Sequence, residues 1–550
     1  MVLFKSRLPD IDLPTDIAVW DWLFESSSSP LRCYPDHELA GYVDAETKER
    51  LNWAQVKEAT TYVSTALVKR YNFRTTDTIT LFSGNTIWYP VAMFSVVRLG
   101  GVVSGASPAY NVEEMTYALK TAKAKFIATN PASIEVALEA AHQAGIPKEH
   151  VLLLEGKAEG HASIKELVEI GRSFGSGGQV QSFKIPSGKT NKEVCGLLCL
   201  SSGTTGLPKA VMIGHHNIIA QVSQARQITP ASQKKTLAVL PFYHISGLVH
   251  TLHLPILLNA EVIMLPKFSM APMLKTISAY QIEELLVVPP LLIRLLHDPI
   301  VNDYDLRCVK RFSSGAAPVS DKVMQLLAKK FPSAGFKNGY GMTETTSCIT
   351  GFPPELYDLK YAYSVGQILA NTVFRIKKDD GSEADVDEPG EILAKGPQVV
   401  MGYLDNETAT RETFNVDGGW LRTGDLGSID CNGIVTIHDR IKEMIKVKGI
   451  AVAPAELENL LLGHDKVQDV GVIGVPDEYS GELPKAFVVL KQAVNGEENV
   501  WHELKRYVQE RKTKYKWVTE FESVPEIPKS ASGKILRKVL RDREKTAKSR

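Results

Sequence analysis

A chain of 550 residues, 44% hydrophobic and 23% charged, can bury a large core and is too long for one compact domain, so at least two domains are expected. Its 63 basic and 63 acidic side chains cancel, which removes any global field that would favour nucleic acid or an anionic membrane. Six cysteines, Cys33, Cys195, Cys199, Cys308, Cys348 and Cys431, lack paired metal spacing and read as reduced thiols. The most apolar stretch, 252–265, is interrupted by Pro255, Asn259 and Glu261, so no membrane span is expected. Lys5, Arg7, Asp10 and Asp12 break up any secretory leader, and the terminal Ala547-Lys-Ser-Arg550 is not a peroxisomal address. A cytoplasmic protein is the expectation.

In chain order, residues 1–74 read as lead-in structure with a serine-rich loop at 26–29. A strand at 78–83, an apolar helix at 86–99 stopped by Gly100 and Gly101, and a strand from 101 make a βαβ unit, which implies a parallel sheet covered on both faces. Strands at 125–129 and 151–154 flank a helix at 133–144, and 172–190, rich in Gly, Ser and Lys, reads as an exposed linker. Further strands are expected at 194–200, 236–240, 261–265, 285–288 and 309–312, with helices from 216 and from Asp321, the latter capped by Ser320 and closed by Pro332. From 373 the pattern changes to short strands and turns, a small all-β segment. After 439 the order strand, helix, strand, strand, helix defines a separate α+β domain, giving domains of 1–438 and 439–550. The basic stretch from Lys529 reads mostly as a solvated tail.

Between the strand at 194–200 and the helix from 216 lies Ser201-Ser-Gly-Thr-Thr-Gly-Leu-Pro-Lys209. Glycines that let backbone N–H groups converge, the hydroxyls of Ser201, Ser202, Thr204 and Thr205, and the charge of Lys209 suit a nucleotide polyphosphate. Leu207 and Pro208 separate Gly206 from Lys209, and Ala210 follows, so the loop is not the Walker A of kinases and motor ATPases.

This loop, with Gly339-Tyr-Gly-Met-Thr-Glu344, Leu421-Arg-Thr-Gly-Asp425, Asp439-Arg-Ile-Lys-Glu-Met-Ile-Lys446 and Pro528-Lys-Ser-Ala-Ser-Gly-Lys534, resembles the adenylate-forming superfamily over nearly the whole chain. That superfamily includes acyl- and aryl-CoA ligases, 4-coumarate:CoA ligases, beetle luciferases and peptide-synthetase adenylation domains. The resemblance implies a large N-terminal domain of two doubly wound βα subdomains plus a small β-barrel, followed by a small mobile α+β domain. It implies ATP, Mg2+ and coenzyme A as reactants and cofactors and an acyl-AMP intermediate; the balanced charge already argues against a nucleic-acid partner.

By that resemblance Ser201, Ser202, Gly203, Thr204, Thr205, Gly206 and Lys209 hold the β- and γ-phosphates, Thr343 touches the α-phosphate and Glu344 helps bind Mg2+, a hard cation suited to oxygen. Gly315, Ala316 and Ala317 line the adenine, Gly339, Tyr340, Gly341 and Met342 extend the nucleotide site, and Asp425 and Arg440 hold the ribose. Lys534 bridges carboxylate and α-phosphate, with Gly533 keeping its approach open. Lys442 matches the hinge, and Lys446, Lys448 and Gly449 belong to the face presented for thiol transfer. His244 matches the histidine beside the acyl carboxylate, and Ser246, His250, Pro289, Ser313 and Ser314 match pocket positions.

There are two departures from the family pattern. Ser246 replaces the tyrosine of 4-coumarate:CoA ligases, removing a stacking surface, and Ala451 replaces a glutamine of the thiol-transfer segment. The expected activity is a carboxylate:CoA ligase for an aromatic or medium-chain acid, with transfer to a carrier protein in trans as the alternative.

Overall fold

The computed structural model describes residues 2–201, 208–315, 319, 321–448, 450–491, 497–530 and 533–548. Ser202, Gly203, Thr204, Thr205, Gly206, Ala316, Ala317, Gly449 and the expected cap Ser320 lie outside the described residues.

The βαβ alternation produces a seven-stranded sheet ordered Gly402–Tyr403, Lys209–Gly214, Cys195–Ser201, Val102–Ala106, Thr78–Phe82, Ala124–Thr129, Val151–Leu153. The last five of these are parallel, and the first two run antiparallel to their neighbours. Alternation along Thr78–Phe82 sends Ile79 and Leu81 into one core with Trp53, Val56 and Phe94, and Phe82 into another with Met115, Leu119 and Ala137. Helices therefore cover both faces.

A second layer joins Lys235–Ala238, Glu261–Met264, Gly41–Asp44 and Arg50–Asn52 to a three-stranded parallel sheet, Glu284–Val287, Arg311–Ser314 and Gly335–Asn338. One apolar core, from Leu237 and Ile263 to Leu285, Phe312 and Phe336, runs beneath both sheets. The β-segment is an antiparallel sheet of Phe4–Lys5, Val373–Lys377, Gly390–Lys395, Leu421–Ile429 and Val435–Arg440. It closes as a half-barrel with Tyr340–Met342, Ser347–Gly351 and Gln367–Ile368 over Ile349, Phe374 and Ile392. Beyond it, Ile445–Val447, Ile450–Val452, Val467–Asp477, Gly481–Leu490 and Glu520–Ser523 form a sheet with its own cores. Strand Val435–Arg440 carries the half-barrel two residues past the expected boundary at 438.

Several expectations change. Residues 1–74 are not lead-in structure: they supply the 19-residue helix Trp53–Tyr71, two strands of the second layer and the fully buried Trp20 and Trp53. The segment 172–190 is not a free linker, because Ser182 donates to Asp21 at 3.0 Å and to Glu25 at 2.7 Å and Lys184 pairs with Asp21 at 2.6 Å. The strand expected at 309–312 forms at Arg311–Ser314, the register in which Arg311 lies opposite Glu284. The basic tail is the helix Arg537–Lys548, held by buried Leu540, by Arg537 on Glu458 at 2.7 Å and by Lys485 on Glu544 at 2.5 Å. Among the described residues no helix is long and apolar enough to cross a membrane.

Candidate active site

The phosphate loop joins two strands of a hairpin, not a strand to a helix as its flanks suggested. Ser201 pairs with Lys209 across that hairpin, so both emerge at the same sheet edge, and the helix His215–Gln227 begins only after Gly214. They open onto a cavity of about 860 Å³ that Thr343, Glu344, Arg440 and Lys534 also line. Strands Arg311–Ser314 and Gly335–Asn338 run along its wall and deliver Gly315, Gly339 and residues 341–344 to it.

At one end Lys209 stacks its ammonium 4.7 Å from the centroid of the Tyr403 ring, and Tyr403 donates its hydroxyl to Glu344 Oε1 at 2.9 Å. Burial, reinforced by the Glu344 carboxylate, raises the Tyr403 phenol, so it stays a neutral donor. The hydrogen bond orients Glu344, and among the described residues no side chain engages its second oxygen, which suits a cation. Among the described residues no group of three or more His, Cys, Asp or Glu could hold a metal by itself. A site with one carboxylate fits Mg2+ shared with phosphate oxygens, its usual manner of binding.

Next to it Asp425 lies in the strand Leu421–Ile429 directly opposite Arg440, behind cavity-lining Gly424. Arg440 Nε approaches Asp425 Oδ1 to 3.0 Å and Tyr340 donates its hydroxyl to Oδ2 at 2.7 Å. Asp425 is 2% exposed, and burial raises its pKa against the pull of Arg440, Tyr340 and Lys534. Each carboxylate oxygen keeps a second lone pair, the acceptor capacity that two ribose hydroxyls require. Tyr340 thus acts through Asp425, whereas Gly339, Gly341 and Met342 line the cavity.

Lys534 reaches the cavity from a turn between the strand Glu520–Ser523 and the helix Arg537–Lys548. The turn is fastened by Ser530 N–H to Lys534 O at 2.8 Å and by Gly533 N–H to Ser530 O at 2.8 Å. Gly533 has φ +80°, and a Cβ built there would stand 2.8 Å from Pro290 Cδ. Only glycine allows this seat. Burial, then repulsion from Arg440, lowers the Lys534 ammonium to about 8, against the attraction of Asp425 and Glu443.

The cavity continues into a pocket lined by His244, Ser246, His250, Ser313 and Ser314. Pro289 is not among its lining residues; it opens the helix Pro289–His297, and its neighbours Val287 and Val288 line the wall instead. Burial lowers the pKa of His244, and burial together with Lys337 lowers His250 to about 4, so both are neutral near pH 7. His250 lies in the π-helical stretch Gly247–His253, with Nε2 3.0 Å from Ser347 Oγ. Sequence reasoning missed Glu284, Arg311 and Lys337, a buried ion cluster on the same wall. Its trace is a single charge in each of three short strands, Glu284–Val287, Arg311–Ser314 and Gly335–Asn338.

Lys442, in the turn Ile441–Glu443, lines the cavity mouth. Lys446 and Lys448 stand off the cavity: Lys446 is exposed opposite Ala451, and Lys448, at φ 51°, lies 4.1 Å from the Tyr479 ring centroid.

A nucleotide-sized cavity between a hairpin phosphate loop, a half-barrel carboxylate and a lysine from a second lobe defines an adenylate-forming ligase. Comparison with known proteins agrees. Residues 30–404 match the AMP-binding enzyme family and residues 456–534 its C-terminal domain. A 4-coumarate:CoA ligase 1 of Petunia hybrida is 32% identical over 556 residues, covering 98% of this chain and 97% of that protein. A 4-coumarate–CoA ligase 1 of Petroselinum crispum is 31% identical over 551 residues, covering 98% and 97%. The solved anthranilate CoA ligase AuaEII in complex with anthranoyl-AMP shares the fold at a TM-score of 0.85 and 24% identity, covering 98% of this chain and 99% of that one. The chain belongs to the AMP-binding enzyme family, within the adenylate-forming superfamily.

Proposed function

We propose that the protein joins a carboxylic acid to AMP, expelling pyrophosphate, and then passes the acyl group to the thiol of coenzyme A. The observation that carries this reading is the convergence of Lys209, Thr343, Glu344, Arg440 and Lys534 on one cavity that continues past His244 into a pocket lined by both polar and apolar side chains. Full-length similarity to proteins named 4-coumarate:CoA ligases supports the choice of CoA as acceptor.

Bringing a carboxylate to the α-phosphorus sets two anions together, so the first step needs positive charge where oxygen charge builds up. In this reading Lys534 spans carboxylate and α-phosphate, Thr343 contacts the α-phosphate, Lys209 and the loop beyond Ser201 take the departing pyrophosphate, and Asp425 with Arg440 holds the ribose. Mg2+, when bound at Glu344, supplies further charge neutralisation on the phosphates. Neutral His244 orients the acid without adding a competing charge.

The second step is assigned to a turn of the C-terminal lobe about Lys442, which withdraws Lys534 and brings the face around Lys446, Lys448 and Gly449 to the cavity mouth. The two working domains then meet at the end of strand Val435–Arg440. The acid is aromatic or medium-chain, in keeping with pocket residues such as Ile228, Leu237, Ile245 and Leu286.

The test is pyrophosphate release over a carboxylate panel, with and without CoA, in wild type and Lys534→Ala. Release should depend on the acid, acyl-CoA should form, and Lys534→Ala should lose ATP–pyrophosphate exchange yet still convert supplied acyl-AMP and CoA to thioester. Unchanged exchange in Lys534→Ala would overturn the assignment. Acid-dependent release without a CoA product would move the acceptor to a carrier protein.

A further inference from the structure

The parallel strands of the pocket wall carry charge on the face that meets the cavity. Their register sets Glu284 opposite Arg311 and Ser313 opposite Lys337. The two-residue period turns these side chains and Leu286 to one face, and Leu285, Phe312 and Phe336 to the apolar core behind. Glu284 accepts from Arg311 Nε at 2.9 Å and from Ser313 Oγ at 2.6 Å, and Lys337 Nζ lies 2.8 Å from its Oε1. One carboxylate therefore serves two cations. Among the described residues no other carboxylate lies within ion-pair reach of Arg311 or Lys337.

The neighbours do not cancel the surplus charge. His250 is neutral near pH 7, and Tyr357, which accepts from Lys337 at 3.1 Å, is a phenol that burial keeps protonated. A Lys ammonium has three donors; Glu284 and Tyr357 take two, and Lys337, with its side chain 15% exposed, lines the cavity. Buried charge is costly unless paired.

The surplus lies back from the reacting end. Lys337 is level with Ser313 and Leu286, two residues before Val288, the end of the strand region against which Gly533 is seated, on the order of 7 Å along the strands at about 3.3 Å per residue, and its partner Glu284 stands two residues further back. We propose that the pocket selects acids bearing a second anionic oxygen group, a carboxylate in the simplest case, at the end opposite the reacting carboxylate, and that Lys337 reads it. This deepens the preceding reading and rests on it. A methyl at that end strips water from the Lys337 donor and returns nothing, the circumstance in which a polar pocket discriminates strongly.

The experiment compares kcat/KM for pyrophosphate release among acids matched in length and differing only at the far end. One series is aliphatic, ending in carboxylate, hydroxymethyl or methyl; the other is an arylpropenoic acid with and without a para-carboxylate. Wild type should prefer the carboxylate-ended member by at least about tenfold over the methyl-ended one, with the hydroxyl between. In Lys337→Met the ratio should fall towards one. Because that change leaves Glu284 with one cation, Glu284→Gln/Lys337→Met is read in parallel, with thermal unfolding as the check on folding. Turnover without preference in wild type, or a preference unchanged in both variants, overturns this proposal alone. Turnover of no acid at all overturns the activation reading and this one with it.

Discussion

Raising the pH is expected to silence the first half-reaction through a single side chain. Lys534 shares its surroundings with Arg440 and Arg537, which oppose its charge, and with Asp425 and Glu443, which favour it. Burial and Arg440 prevail and bring it from an ordinary 10.5 to about 8. At 1.36 kcal/mol per pKa unit, holding that proton costs on the order of 3 kcal/mol relative to water. The α-phosphate of ATP, arriving as a counter-anion, would offset this cost. The free enzyme should therefore lose the charge as pH rises through about 8, while the ATP complex keeps it to higher pH. In acid-dependent pyrophosphate release, kcat/KM should fall above about pH 8, and kcat should hold further into the alkaline range. Lys534→Arg, charged throughout, should abolish the alkaline limb at a lower overall rate. A limb at the same pH in kcat and kcat/KM, or one that survives in Lys534→Arg, would refute the reasoning.

Gly533→Ala places a methyl against Pro290 and forces a left-handed backbone on a residue with a Cβ, a cost of about 1–2 kcal/mol. Exchange of pyrophosphate into ATP should drop on the order of tenfold, while thioester formation from supplied acyl-AMP is spared; equal losses in both would show that the seat on Pro290 does not belong to adenylation. Ala451→Gln, on the exposed strand opposite Lys446, should raise thioester formation roughly fivefold, the worth of one recovered polar contact of about 1 kcal/mol, with exchange unchanged. Stopped-flow comparison of the two half-reactions checks both variants.

The parts of this molecule legible in its sequence are those where local pattern and tertiary role coincide. The βαβ unit from Thr78 to Ala106 was readable because helix Trp88–Arg98 is apolar on every side and ends at glycine. The motif residues Lys209, Thr343, Glu344, Arg440 and Lys534 were legible through resemblance, and they share one cavity. Lys209–Gly214 escaped because a strand of only six residues, read beside a helix start, looks like the turn into that helix. The helix Trp53–Tyr71 was hidden by its hydroxyl residues, of which Thr60, Ser64 and Thr65 are buried: Ser64 donates to the carbonyls of Thr60 at 2.7 Å and Ser95 at 3.0 Å. Arg537–Lys548 looked like a solvated tail because its partners, Glu458 and Lys485, are far away in sequence. The same long-range pairing concealed the Glu284 cluster, in which each ion is intelligible only once three separate strands lie side by side.

Arg440 ends the last strand of the half-barrel, and Lys442 lies in the very next turn. The residue that grips Asp425 is thus covalently two steps from the pivot assigned to the lobe. If the lobe turns there, nucleotide affinity and lobe orientation form one thermodynamic cycle. Whatever factor the nucleotide exerts on the affinity for an orientation-selective ligand such as the incoming thiol, that ligand must exert in return on the affinity for the nucleotide. Release of AMP would then be coupled to arrival of the acceptor by the connectivity of the chain, with no separate signal between the two sites.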